Sequence, residues 1–203
     1  MGLSNISDLR RREIVEAFYN TAIKEGLEST SIAKIAKSLE IPPSLIIHYY
    51  KSKSELVTAL IDHCLELYLQ IFEKAYTQKK KSPDVLYALL QRMFSKDWNE
   101  LFDDGVYYSA YALVFREAEV KEKFNKIHKT LRSKFSELLM ECDELGYIDC
   151  KDPEQSSNLI FSLLDGTYYF ISMLDSEKEQ KQHLRQSEEL AFEILGLDKH
   201  NKN

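Results

Sequence analysis

At 203 residues, with 44% hydrophobic and 30% charged side chains, the chain has the make-up of a globular protein and the length to bury a real core, which excludes a disordered or fibrous class. Cys64, Cys142 and Cys150 are odd in number and unpatterned, which speaks against a disulfide framework and suits a reducing cytoplasm. No apolar run is long enough to span a membrane: Leu159 to Leu174 is broken by Ser162, Asp165, Gly166 and Thr167, and MGLSNISDLRRR has no apolar signal core, so neither membrane nor secretion is expected.

Only six glycines and four prolines punctuate the chain, which predicts long helices. A first helix is expected from about Asp8 to Glu25, with Ile14, Ala17, Phe18, Thr21 and Ala22 on one face and Gly26 as a left-handed stop. Arg10, Arg11 and Arg12 then fall at its start, where cations oppose the helix dipole. Two readings stand side by side: a mobile basic arm for phosphates, or a solvated charged end.

Thr30 to Lys53 is the most informative stretch. Thr30 or Ser31 offers an N-cap before Ile32, Ile35 and Ala36, which recur at helical spacing. Pro42-Pro43 cannot continue that helix, and suits a turn followed by the first position of another. Leu45 to Tyr50 forms a second short helix of mixed surface. Two short helices joined by a tight turn describe a helix-turn-helix, whose second helix enters the DNA major groove. The overall net charge of −6 opposes this at first sight. Residues 1–53, however, carry eight Lys/Arg against six Asp/Glu, a net of +2, while the remainder has a net of −8. A basic reader on an acidic body is what such asymmetry predicts.

Ser52, with Glu55 three residues on, opens a helix expected from Lys53 to about Gln78, ended by Lys79–Lys81 and Ser82-Pro83. Its two adjacent apolar stripes predict burial on more than one side. Further helices are expected at Asp84 to Leu101, Val106 to Glu117 after the Asp104-Gly105 break, Glu119 to Glu144 stopped by Gly146, one opened by Asp152-Pro153, and Glu177 to Leu195. The expected fold class is all-α, about nine helices and no sheet. Catalysis is not supported: the histidines at 48, 63, 128, 183 and 200 are scattered, and no nucleophile or metal motif appears. Asp62, His63, Cys64 and Glu66 have a metal site's composition, but adjacent helix positions diverge by about 100°. No cofactor is expected.

Gly26, Thr30-Ser31, Ile35-Ala36 and Ile47-His48-Tyr49-Tyr50-Lys51-Ser52-Lys53 followed by Glu55-Leu56 resemble the DNA-binding domain of the TetR (tetracycline-repressor-like) family. The resemblance implies a three-helix DNA-binding domain over residues 1–53 and a helical ligand-binding and dimerisation domain over 54–203. It implies a dimeric repressor of a palindromic double-stranded operator, released by a small, largely apolar effector, in the cytoplasm. DNA contacts then fall to Thr30, Ser31, Pro43, Ser44, Leu45, His48, Tyr49 and Lys53. Tyr49 and Lys53 hold phosphates, Ser44, Leu45 and His48 meet base edges, and Tyr50 packs inward. The sequence departs from the pattern at Glu40, where glycine is frequent, at Pro42-Pro43, at Ser44, and at Ile47, where an aromatic is common.

The aromatic set Tyr68, Phe72, Trp98, Tyr107, Tyr111, Phe115, Phe135 and Tyr168 lines a ligand cavity by this resemblance, with Asp165 or Arg116 meeting a ligand group or forming an internal ion pair. The alternative for each aromatic is ordinary core, and for Asp165 a position facing water. Leu163, Thr167, Phe170, Ile171, Leu174, Leu184, Ala191 and Ile194 are the implied dimer interface, a four-helix bundle around a two-fold axis. A different class remains open: a helical ligand-binding or carrier protein whose N-terminal unit mediates protein interaction.

Overall fold

The computed structural model describes residues 3–78, 84–99 and 102–197. The expected helix stop at Lys79–Pro83 lies outside them. Among the described residues there is no strand, and nine helices have seven residues or more. These are α1 (Leu3–Glu25), α2 (Ile32–Ser38), α3 (Pro43–Tyr49), α4 (Lys53–Gln78), α5 (Asp84–Met93), then, beyond the four-residue α6 (Lys96–Asn99), α7 (Asp104–Ala112), α8 (Ala118–Glu144), α9 (Pro153–Ile171) and α10 (Glu177–Ile194). A 3-10 turn, Leu113–Phe115, follows α7. No described helix is long and apolar enough to cross a membrane.

The caps explain most boundaries. Ser31, Asp103, Asp152 and Ser176 accept N–H groups of the first turns of α2, α7, α9 and α10. Asp103 is the reason α7 begins at Asp104, so that Asp104-Gly105 is its first turn and not the expected break. Ser52 caps α4 through the Glu55 N–H at 3.1 Å, and the Glu55 carboxylate accepts from Lys51 N–H at 2.9 Å. The helix expected over Asp84 to Leu101 is interrupted after Met93. The Tyr168 hydroxyl donates at the break, 2.6 Å from Met93 O, and lies 2.9 Å from Ser95 O, which also accepts the Trp98 N–H.

The chain forms two compact units. One comprises Met1–Glu66 and Phe102–Ile127, the other Leu67–Leu101 and His128–Asn203. In the first, Ile14, Phe18, Ile35, Ile46, Leu56 and Leu60 are fully buried. Tyr19 of α1 stacks on Phe102 at 4.7 Å, and its hydroxyl accepts the Asp103 N–H at 2.6 Å. In the second, Phe135 meets Phe72 and Phe161 edge-on, and α9 packs along α10 with Thr167 and Ser187 hydrogen-bonded at 2.9 Å.

Two turn residues hold opposite chemistry in one backbone region. Gly26 has φ +83° and Glu40 φ +54°. A side chain in this left-handed region costs about 1 kcal/mol. Gly26→Ala is therefore expected to lower stability by about 1 kcal/mol. Glu40→Gly should fall between no change and about 1 kcal/mol of stabilisation, since glycine's chain entropy offsets the relieved strain. Urea unfolding of the two variants checks this, and destabilisation of equal size in both would contradict it.

Candidate nucleic-acid interface

Pro42 (φ −63°, ψ 139°) and Pro43 start α3 without wasting an N–H, because the first turn has no intrahelical partner for it. Over seven residues the helix then divides cleanly. Ile46 is buried, as is Tyr50, whose N–H closes the helix on Ile46 O at 2.8 Å. Pro43, Ser44, Ile47 and His48, related by one turn, are all exposed. Leu45 and Tyr49 are half-buried at the margins. The expected readers Ser44 and His48 thus share the bare face, and Ile47 joins them where Leu45 had been expected. The sequence signal for Ile47 was weak: it stands four residues from Pro43 but only one from the buried Ile46, so its 49% exposure is read from the structure.

Thr30 is corrected by the structure. It is 1% exposed and its hydroxyl donates to Gly26 O at 2.9 Å, so it ties off the end of α1 instead of facing outward. Ser31, exposed, is the α2 cap, accepting Lys34 N–H at 3.4 Å. Lys53 donates to Glu28 O at 2.8 Å, and burial, opposed by the Glu28 carboxylate, holds its ammonium below the ordinary lysine value. One of its three N–H groups is thereby engaged and two stay available for a phosphate.

The arginines also move. Because α1 begins at Leu3, Arg10 to Arg12 lie in its interior turns and form no loose arm. Arg10 is paired with Glu13 at 2.6 Å. Arg11 instead lies over the rings of Tyr49 (5.9 Å) and Tyr50 (5.2 Å), and the Tyr50 hydroxyl donates to Arg11 O at 3.4 Å. Folding thus carries a cation from α1 to the end of α3, a pairing across about forty residues that no local pattern reveals. On the opposite side of α2, the groove against α1 has a volume of about 710 Å³ and a balanced lining of Glu13, Glu16 and Glu25 with Lys24, Lys34 and Lys37. The α3 side is therefore the better match to a polyanion.

Behind this head, Leu60, Ile61, Cys64, Phe102, Tyr107, Ala110, Phe124 and Ile127 surround an apolar interstice too narrow for a water molecule. The inward stripe of α7 is Val106 and Ala110, so its tyrosines sit at the rim, with Tyr107 and Tyr111 edge-on to Phe124. Phe115, expected to line a cavity, is 80% exposed, because the 3-10 turn ends the α-helical phase before it. In the second unit, Tyr68 packs on Trp98 at 4.6 Å, while Phe72, Trp98, Phe135 and Tyr168 are buried. Asp165 is exposed and pairs with Arg132 at 3.2 Å, so it faces water in a surface ion pair and not an internal one, and its partner is not Arg116. Arg132 in turn lies over Phe161 and touches His128 at 3.0 Å. Burial holds His128 below its usual value, with Asp165 opposing and Arg132 reinforcing. Among the described residues no group of three metal-ligating side chains gathers.

The expected dimer residues divide too. Thr167, Ile171, Leu184 and Ala191 are buried inside the protomer, most of them in the seam between α9 and α10. Leu163, Leu174 and Ile194 are half-buried and Phe170 is exposed. The outward apolar residues are Leu159, Tyr169 and Phe170 of α9, Met173 in the turn just beyond it, and Leu190 of α10. Helix α9 has apolar residues around much of its girth, and periodicity does not say which side meets its own protomer.

The position of Arg11 beside Tyr49 yields a measurable expectation. Arg11→Gln should weaken duplex binding for specific and unrelated sequences alike, and should reduce the slope of log K against log salt by about 1. An unchanged slope would place Arg11 outside the phosphate contacts.

Two family models match the chain: "Bacterial regulatory proteins, tetR family" over residues 14–60 and "Tetracyclin repressor-like, C-terminal domain" over residues 81–197. The chain is 23% identical over 193 residues to the fatty acid metabolism regulator protein of Bacillus subtilis, covering 94% of this chain and 95% of that one. It is 29% identical over 87 residues to the HTH-type transcriptional regulator BetI of Brucella anthropi, 43% of this chain and 45% of that protein. Among solved structures, a TetR transcription regulator from Haloarcula marismortui superposes with a TM-score of 0.79 at 18% identity, over 93% of this chain and 97% of that one. The fatty acid degradation regulator FadR of Bacillus halodurans does so with a TM-score of 0.68 at 23% identity, over 94% and 97%. The family fold supports DNA binding and dimer formation. With one model covering more than half its length and the other its helix-turn-helix, the chain belongs to the TetR family: it is a DNA-binding transcription regulator and not an enzyme.

Proposed function

We propose that the protein is a cytoplasmic homodimeric repressor that binds a palindromic operator through residues 1–53 and is released by a small, largely apolar effector taken up by residues 54–203. The observation that carries this reading is α3, anchored on one side by Ile46 and Tyr50 and bare on the other at Pro43, Ser44, Ile47 and His48. Ser31, Tyr49 and Lys53 supply phosphate contacts, with Arg11 added to them. Such contacts set position and orientation, and the bare face of α3 sets sequence.

For the effector, an acyl chain is the favoured class. Two full-length relatives are named for fatty acid metabolism and fatty acid degradation. The interstice among α4, α7 and α8 has the matching apolar lining, Tyr107 included. An acyl chain entering there must displace side chains, Phe102 among them. Phe102 is stacked on Tyr19, so the displacement is felt by α1, which carries Arg11 and lines the core behind α3. That linkage gives the effector different affinities for two positions of the head, as a coupled equilibrium requires.

A duplex from the protein's own upstream region should be retarded by the purified protein, and a graded series of free fatty acids should release it at one chain-length range. Retardation without release by any member would remove the acyl effector and leave the DNA reading in place. The dimer is tested separately. Met173→Glu combined with Leu190→Glu places charge just beyond α9 and on the outward face of α10 without touching the protomer core. Sedimentation should show the mass halved with helicity unchanged, and operator affinity should drop by more than tenfold once two half-sites are no longer linked. A dimer that persists in this variant would relocate the interface.

A further inference from the structure

We infer that Ile47 and Pro43 form an apolar reading edge on α3 and that the operator is recognised there through the 5-methyl group of thymine. This rests on the operator-binding reading above and names the base chemistry that the reading leaves open.

Ile47 is 49% exposed on a seven-residue helix. Nothing about the helix calls for it: a β-branched side chain is stiff at χ1, disfavours short helices and gains little by facing water. Lysine, glutamine or alanine would serve an idle position better. Pro43 stands four residues earlier on the same exposed face, so the two side chains are neighbours along it. Ser44 and His48 flank this edge with hydroxyl and imidazole. Leu45, half-buried, is not equally free. The α3 face therefore has an apolar strip with hydrogen-bonding groups beside it, and cations at Arg11 and Lys51 near its C-terminal end.

A major groove offers such a strip one complementary feature. Adenine, guanine and cytosine present donors and acceptors at their groove edges, and thymine alone adds a methyl group. Isoleucine has no hydrogen-bonding atom, so pressing it against a donor or acceptor leaves that group dry and unpaired, a net loss. Against a methyl, both surfaces leave water with nothing unsatisfied. Ile47 presents a branched, fixed shape suited to a single methyl.

The test uses the full-length protein. Duplexes recovered from a random-sequence pool define the half-site, and each thymine in it is then replaced singly by deoxyuridine, which removes only the methyl. At one or two positions per half-site, affinity should fall roughly fourfold, the value of one buried methyl-sized group. In Ile47→Ala that loss should shrink to under about 1.5-fold at the same positions, with Ile47→Val between. The side chain is exposed, and an unchanged helical signal confirms that both variants fold. Deoxyuridine effects below about 1.5-fold throughout, or an undiminished effect in Ile47→Ala, would overturn the assignment. Recovery of no common sequence would be a different result, overturning the operator-binding reading itself.

Discussion

A seven-residue helix has too few internal hydrogen bonds to persist in water, so α3 exists only because it is held from behind. Ile46 and Tyr50 are buried, the Tyr50 N–H closes the helix on Ile46 O, and its hydroxyl reaches back to Arg11 O. This anchorage decides everything downstream. With Ile46 turned inward, helical geometry sets Ser44 and His48 on the far side of α3, and Pro43 and Ile47 lie on its exposed flank. The same anchorage sets Tyr49 at the margin beside Arg11 and fixes where α4 begins, since Ser52 caps it two residues after Tyr50. Recognition surface and support are two sides of one short turn of chain.

Charge acts locally in this molecule. A net of −6 over the whole chain coexists with a head able to face a polyanion. Screening cuts the influence of distant carboxylates at physiological salt, while cations beside a phosphate keep theirs. What matters is which basic groups are already engaged. Arg10 is paired with Glu13, Lys34 with Glu25, and Lys53 partly with Glu28 O. Arg11 rests on aromatic rings, which orient a guanidinium without neutralising it. Thr30 shows the converse case, a polar residue wholly spent on the fold.

Behind the helix-turn-helix, packing does not follow composition. Aromatic residues draw the eye on α7, yet its buried residues are Val106 and Ala110. Tyr107 joins Ala110, Leu60, Ile61, Cys64, Ile127 and the buried rings of Phe102 and Phe124 around the apolar interstice. Phe102 belongs both to that boundary and to the stack on Tyr19. It thus ties the interstice to α1 by direct contact.

The sequence by itself determined what depends on neighbours in the chain. The all-helical class, the helix-turn-helix, the left-handed Gly26 and the caps Ser52 and Asp152 follow from spacing, proline chemistry and capping, which are local interactions, while the inward Tyr50 followed from the family resemblance. Glu40 was legible as a departure at a turn, and its positive φ accounts for the glycine common there. Tertiary structure decided what depends on partners far along the chain. The break after Met93 is met by the Tyr168 hydroxyl, seventy-five residues away. Arg11 is recruited to Tyr49 by folding, Asp165 to Arg132, and Thr30 out of the surface. The same holds for α9, where Thr167 went to the seam with α10, Ile171 is buried, and Leu159 and Phe170 are outward. Periodicity identifies an apolar face, but only the packed protomer reveals which of two such faces it has already used.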